Sequence, residues 1–532
     1  MRRLQRNWLP ILLGCSFILL VSLPYIWAYQ SSDRFHSFGG FLLNPIDGNS
    51  YLAKMYQGWQ GNWRFQLPYT AEPGEGGYLF LFYLALGHLA RITSLGNQTV
   101  FHLARIAGAV ALVYSLWNFY AKIFDRKRIR WIAFGFSLFG SGLGWLASFY
   151  GVFSADFWVA EGYPFLAAFA NPHFPLGFAI MLSILALTIG EADGSLVGFS
   201  RLDMIWLFAG GFILANILPF GVVIAIVVLA GSLAWGTWEI LRTATNQLSL
   251  INVVKSQLIN TREGQALIFM LLGGGPVLVY QFWVSNSDPV LLIWNTQNIT
   301  ASPPAWDLLI SYAPILLFAL PGAILVAKVH AVKVKILVVW AVLGLLLVYV
   351  PWSLQRRFIS GYLIPLAGLA AYGIDTIFNR RRSFGIAALV LVIVLIVPTN
   401  LMILLGSIQA VQEKKDSIFL SGDEILGLTW LEDHTDEKAL VLASPQMGLY
   451  IPAFTGRRVF YGHPYETANA PQMEVLVSEF FSPGGSNKGK SAFQGADYIF
   501  FGNRERKLGA EALGPEFELV YESGDVQIVK FK

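Results

Sequence analysis

The chain has 532 residues, of which 55% are hydrophobic, 15% aromatic and only 13% charged. Soluble domains carry about 25% charged residues, so this composition excludes an ordinary soluble enzyme and predicts a chain solvated mostly by lipid. The formal net charge of +4 suggests no nucleic-acid partner, and the single cysteine, Cys15, excludes a disulfide framework and a Cys-based zinc site.

A spanning helix needs about 20 apolar residues, and Lys/Arg-rich short loops mark the cytoplasmic side. The first apolar segment, residues 8–28, follows Arg2, Arg3 and Arg6, which places the N-terminus in the cytoplasm. No small-x-small cleavage site follows it, so it is expected to be a retained anchor. Next comes Asn44-Pro45-Ile46-Asp47-Gly48-Asn49-Ser50-Tyr51, good turn chemistry with Asp47 just outside the membrane. Leu52, Met55, Tyr56, Trp59 and Trp63 then recur at helical spacing, with Lys54, Gln57 and Gln60 between them. That pattern predicts a helix lying in the membrane interface. A turn-rich stretch holding Glu72 and Glu75 leads to residues 78–92, which are apolar but short and carry His88 and Arg91. They predict a second interfacial or re-entrant helix.

The next span, residues 101–121, ends in Lys122, Arg126, Lys127, Arg128 and Arg130, the strongest cytoplasmic signal in the chain. Further spans are predicted at 131–150, 176–190, 203–217, 221–240, 266–283, 306–327, 336–351, 358–378 and 384–405. Residues 151–175 form a second outer loop. The transmembrane domain is thus expected over 1–411, with about eleven helices and outer-face interfacial helices within 30–100. From about 412 the composition changes, and residues 412–532 predict an extracytoplasmic α/β domain. Its strands are expected at 439–443, 458–461, 498–502, 516–521 and 526–531, with helices around 423–432 and 471–481. The Gly/Ser/Lys-rich stretch 482–490 reads as a loop. The fold class is an α-helical polytopic membrane protein with a small C-terminal α/β soluble domain.

Candidate site residues follow from position. Asp47 is a lone acid in an outer loop, and its ordinary alternative is a solvated or helix-capping aspartate. Glu72 and Glu75 belong either to a site or to the cap of the following helix, whose dipole favours a carboxylate. Asp156 and Glu161 are the acids of the second outer loop. A second carboxylate facing Asp47 would hold a divalent cation or position an acceptor. His173, between Pro172 and Pro175, is a further candidate ligand or an interfacial histidine. Asp47, Asp156, Glu161 and His173 are therefore the candidate metal ligands, and no cofactor beyond such a cation is indicated. Adjacent Arg356 and Arg357 fall on the outer side against the charge bias, so something should compensate them. A lipid-linked phosphate would, because the guanidinium fork matches phosphate oxygens; ordinary lipid phosphates would as well.

Taken together, these features resemble the GT-C superfamily of integral membrane glycosyltransferases, which use polyprenyl-phosphate-linked sugars. The likeness lies in Asp47 after the first span, two interfacial segments joined by a proline-containing turn, and Arg105 near the opening of the next helix. It continues in Asp156 and Glu161 after the third span and in a late outer Arg356 or Arg357. The closest subgroups are the protein-mannosyltransferase and aminoarabinose-transferase types. The chain departs from the former in having Gly48 after Asp47 rather than paired acids, and it lacks the Trp-Trp-Asp signature of oligosaccharyltransferases. The resemblance implies an inverting transfer at the outer face of the cell membrane. Asp47 would act as general base, and Arg356 or Arg357 would stabilise the phosphate leaving group, with Asp156 or Glu161 converging on Asp47. Glu72, Glu75, Arg105 and His173 would line the substrate site. The partners are the lipid-linked donor, the bilayer and an acceptor of open identity. The rival class is a transporter or flippase for a lipid-linked or anionic substrate, suggested by proline-broken helices at Asn216–Gly221 and Gly273-Gly274-Gly275-Pro276.

Overall fold

Eight helices among the described residues are long and apolar enough to cross a membrane. They are Trp8–Gln30, Asn97–Ile123, Lys127–Ser148, Pro219–Thr243, Arg262–Ser287, Ala305–Lys328, Gln355–Arg380 and Arg382–Gln412. Arg201–Ile217, His173–Thr188 and Lys335–Val348 are shorter helices at the remaining predicted spans. The computed structural model describes residues 8–190, 199–244, 249–329, 333–485, 490–510, 514 and 517–531. The basic cluster Arg2, Arg3 and Arg6 and residues 486–489 of the Gly/Ser/Lys-rich loop lie outside them. Ile11, Leu12, Leu19, Leu23 and Ile26 of the first helix are exposed. An apolar surface of that extent needs lipid rather than water around it, and the chain is an integral membrane protein.

Two predicted interruptions differ in kind. Leu218 breaks the chain between Arg201–Ile217 and Pro219–Thr243, as the proline suggests. Arg262–Ser287, by contrast, runs unbroken through Pro276. The broken helix that motivated part of the transporter reading is absent there.

The chain divides into two units. The first comprises Met1–Leu23, Arg105–Val279 and Thr300–Gly406. In it the basic cluster after the second span finds Asp375, which accepts from Arg126 at 2.8 Å and from Arg128 at 2.6 Å. The second unit comprises Pro24–Ala104, Tyr280–Ile299 and Ser407–Lys532. Residues 412–532 thus share a unit with the segment expected to carry the interfacial helices.

Within the second unit, helix Pro45–Gln60 crosses helix Leu81–Thr93 at close range. A Cβ on Gly58 would fall 2.1 Å from the Leu84 carbonyl oxygen, and one on Gly87 would fall 1.9 Å from that of Met55. Only glycine allows the two backbones this approach. The first helix stops at Gln60 because Gly61 adopts the left-handed cap (φ 106°), so Trp63 lies beyond it and stacks on His88. Strand His36–Phe38 pairs antiparallel with Phe419–Ser421. A five-stranded sheet follows in the order Arg458–Val459, Leu440–Leu442, Tyr498–Phe501, Val526–Phe531 and Phe517–Ser523. Its first three strands are parallel and its last three antiparallel. Helices Gly422–His434, Pro445–Thr455 and Ala470–Phe480 accompany it, completing a mixed α/β layer.

Candidate functional site

Pro45 at the start of helix Pro45–Gln60 has its φ preset for the first turn, while Asn44 before it is left-handed (φ 48°). Asp47 therefore sits inside the first helical turn rather than in the loop expected from its turn-forming neighbours. Its side chain is about one-third exposed, and both carboxylate oxygens face donors. Asn44 Nδ2 donates to Oδ2 at 2.5 Å, and His463 Nε2 lies 3.6 Å from Oδ1. His463 is buried, and its Nδ1 accepts from the backbone amides of Tyr465 and Glu466, each at 3.1 Å. An imidazole nitrogen that accepts carries no proton, so in the neutral ring the N–H is on Nε2, on the side of Asp47.

The same helix face continues through Ser50 and Lys54, three and seven residues on. Ser50 Oγ donates to Glu466 Oε1 at 2.7 Å, and Lys54 Nζ reaches the same oxygen at 2.6 Å. Lys54 is fully buried among Phe80, Phe65 and Tyr51, with its ammonium 4.5 Å from the Phe80 ring centre. Burial alone pushes the Glu466 carboxyl up, but the charge of Lys54 and the bonds from Lys54 and Ser50 outweigh it and hold the group below its ordinary range. Thr467 Oγ1 accepts from the Gly462 and His463 amides, and Gln297 Nε2 donates to the Tyr465 carbonyl at 2.9 Å. The turn that carries His463 is thus tied down on several sides.

None of Ser50, Lys54, His463 or Glu466 is singled out by the sequence. Lys54 falls on what reads as the polar side of the helix, and its partner is 412 residues away. Glu72 and Glu75 are exposed. Glu75 lies 3.8 Å from Arg64 in an open ion pair, and helix Leu81–Thr93 starts without a side-chain cap, so neither acid caps it.

In the first unit the charge anomaly has a partner. Arg356 Nε lies 3.2 Å, and Arg357 Nη1 3.6 Å, from Glu161 Oε1, and the Arg356 guanidinium covers the Trp158 ring at 5.0 Å. Gly361 N also donates to the Glu161 carbonyl at 2.8 Å, joining the loop at 151–175 to this segment. One carboxylate oxygen thus faces both guanidinium groups.

Asp156 differs from Glu161. It is completely buried, and its Oδ2 accepts from the amides of Gly142 and Gly144 and from Thr399 Oγ1 at 2.9, 3.1 and 3.0 Å. Its Oδ1 accepts from Ser154 Oγ at 2.7 Å. Those bonds make it a fastener for the loop after the third span. Arg105 stands in the third turn of helix Asn97–Ile123 rather than at its opening, and Nη1 donates to the carbonyls of Val21 and Ala168 at 2.8 and 3.0 Å. His173 opens helix His173–Thr188, buried against Phe174.

The divalent cation expected from paired acids does not suit these residues. Asp156 has its oxygens taken by hydrogen bonds and Glu161 is engaged by two arginines. No group of three or more His, Cys, Asp or Glu among the described residues is placed to hold a metal ion.

No protein-family model and no curated protein sequence matches the chain. Solved structures do. The oligosaccharyltransferase of Archaeoglobus fulgidus in its apo form is 14% identical, covering 93% of this chain and 70% of its own at a TM-score of 0.53. The same archaeal enzyme, AglB, in complex with an inhibitory peptide and a dolichol-phosphate, gives 14% identity, 93% and 69% coverage and a TM-score of 0.54. ArnT from Cupriavidus metallidurans, apo, is 12% identical over 96% of this chain and 97% of its own at 0.49. At such identities the likeness is one of fold, and it agrees with the architecture described above: the chain is an integral membrane protein with the GT-C glycosyltransferase fold.

Proposed function

We propose that the chain is a glycosyltransferase that moves a sugar from a polyprenyl-phosphate donor to an acceptor hydroxyl at the outer face of the membrane, with inversion. The N-terminus would then be cytoplasmic and residues 412–532 extracytoplasmic. The observation that carries this reading is Asp47, a partly exposed carboxylate on a helix start whose two oxygens face Asn44 and His463. Such a group is preorganised to accept a proton. The acceptor oxygen would attack the anomeric carbon while its proton passes to Asp47. The bond from that carbon to the phosphate oxygen breaks, and its electron pair leaves with the polyprenyl phosphate.

The charge on the departing phosphate needs a cationic partner. In this reading Arg356 or Arg357 takes that role, because the guanidinium fork matches phosphate oxygens. The archaeal oligosaccharyltransferase of like fold has been solved with a dolichol-phosphate, a ligand of the class this chemistry calls for.

The test is turnover by the purified protein in lipid nanodiscs supplied with a labelled polyprenyl-phosphate sugar and a pool of hydroxyl acceptors. Labelled glycoside of inverted anomeric configuration, with polyprenyl phosphate released in equal amount, is the expected result. Passage of intact labelled lipid across a vesicle bilayer without cleavage would replace this reading with a transporter.

A further inference from the structure

The C-terminal part of the chain contributes a side chain to the group proposed as base. We infer that His463 is a positioning residue that acts through Asp47, its Nε2–H locking the carboxylate plane, and that the buried Lys54–Glu466 pair holds it in register. The inference rests on the proposed role of Asp47.

Three observations lead there. The two backbone amides on Nδ1 place the ring proton on Nε2 and fix the ring's orientation. Among the described residues buried Nε2 has no hydrogen-bond partner, and Asp47 Oδ1 lies 3.6 Å from it. A buried N–H without an acceptor is costly, so a modest contraction onto Oδ1 is favourable. Hydrogen bonds at catalytic groups are often long in the absence of substrate and tighten when it binds. Third, Glu466 is both a backbone donor to His463 and the buried partner of Lys54, which stands two helical turns from Asp47 on the same helix. The ion pair therefore sets the distance from the His463 ring to the carboxylate. With Asn44 on Oδ2 and His463 drawn onto Oδ1, the carboxylate plane would be held from both sides.

Two variants separate positioning from structure. His463→Asn puts an acceptor oxygen where Nδ1 stands, keeping the turn's amides bonded while deleting the donor to Asp47. His463→Gln does the opposite, restoring an N–H near the Nε2 position at the expense of the turn. If His463 positions the base, His463→Asn keeps the melting temperature and the donor KM but loses about 10–100-fold in kcat, the scale of a misplaced catalytic group. His463→Gln then recovers much of kcat although it melts lower. A purely structural role predicts the reverse order, with activity following stability, and that result would overturn the inference.

Asp47→Asn supplies the control on the reading beneath. Added to it, His463→Asn should have no further effect. Full turnover by Asp47→Asn alone would remove the proposed base. An inactive Asp47→Asn beside a fully active His463→Asn would remove only the positioning role.

Discussion

Substituting Lys54 by Met tests whether the buried ion pair organises the turn at 463–467. The methionine keeps most of the alkyl stem between Phe65, Phe80 and Tyr51 and deletes the ammonium. Glu466 is then left at a buried site with Ser50 as its remaining side-chain donor among those described. Removing one partner of a buried pair costs about 3–5 kcal/mol, whereas replacing both by apolar groups of similar volume is often close to neutral. At about 1.4 kcal/mol per decade, Lys54→Met should lower hydrogen-exchange protection of the 463–467 amides by about two to three and a half powers of ten. Lys54→Met combined with Glu466→Leu should restore most of it, a coupling that a double-mutant cycle isolates. Exchange is read by mass spectrometry on peptides spanning the turn. A loss below about threefold in Lys54→Met, or a double variant showing the sum of both single losses, would refute the reasoning.

Four further outcomes follow. Because the Glu466 carboxyl is held below its ordinary value of 4.5, its contribution is full above that pH and fades as pH falls from there through the lowered value; protection of the turn should drop in acid and stay flat at neutral pH. Asp156→Ala removes the acceptor of the Gly142 and Gly144 amides, leaving buried donors unmet at about 1–3 kcal/mol; it should lower the melting temperature while sparing turnover per folded molecule, and the opposite pattern would make Asp156 part of the chemistry. Arg356→Lys or Arg357→Lys should raise the donor KM or lower kcat at the phosphate-binding position, since a point charge cannot reproduce the fork; a donor titration of each decides which arginine it is. Gly87→Ala places a Cβ 1.9 Å from a carbonyl oxygen and should cost about 1–3 kcal/mol through overpacking, visible as a lower melting temperature.

The membrane helices were legible because lipid imposes a length and a composition that local sequence cannot hide. The strands of the C-terminal sheet were legible through short apolar runs such as Tyr498–Phe501 bounded by turn residues. Asp47 reads from the sequence as a loop residue, because Asp-Gly-Asn-Ser is turn chemistry until Pro45 is given its weight as a helix opener. Glu161, Arg356 and Arg357 were each singled out, yet nothing in one dimension pairs groups 195 residues apart. Lys54 was hidden more thoroughly. Helical spacing puts it among glutamines, and only a carboxylate from the far end of the chain lets an ammonium be buried there. Asp156, weighed as a partner for Asp47, is buried and held by the Gly142 and Gly144 amides, Ser154 and Thr399, a state that position in sequence does not announce.

The central claim is that Asp47 takes the acceptor's proton in a glycosyl transfer. Asp47→Asn keeps the side chain's shape and much of its hydrogen bonding while removing its basicity. Turnover of a labelled polyprenyl-phosphate sugar by this variant, measured beside donor binding in the same nanodiscs, tests the claim most directly. General-base catalysis contributes about 10²–10⁴-fold in rate, so the account predicts a loss of that size with donor affinity largely kept. Wild-type turnover by Asp47→Asn would contradict it.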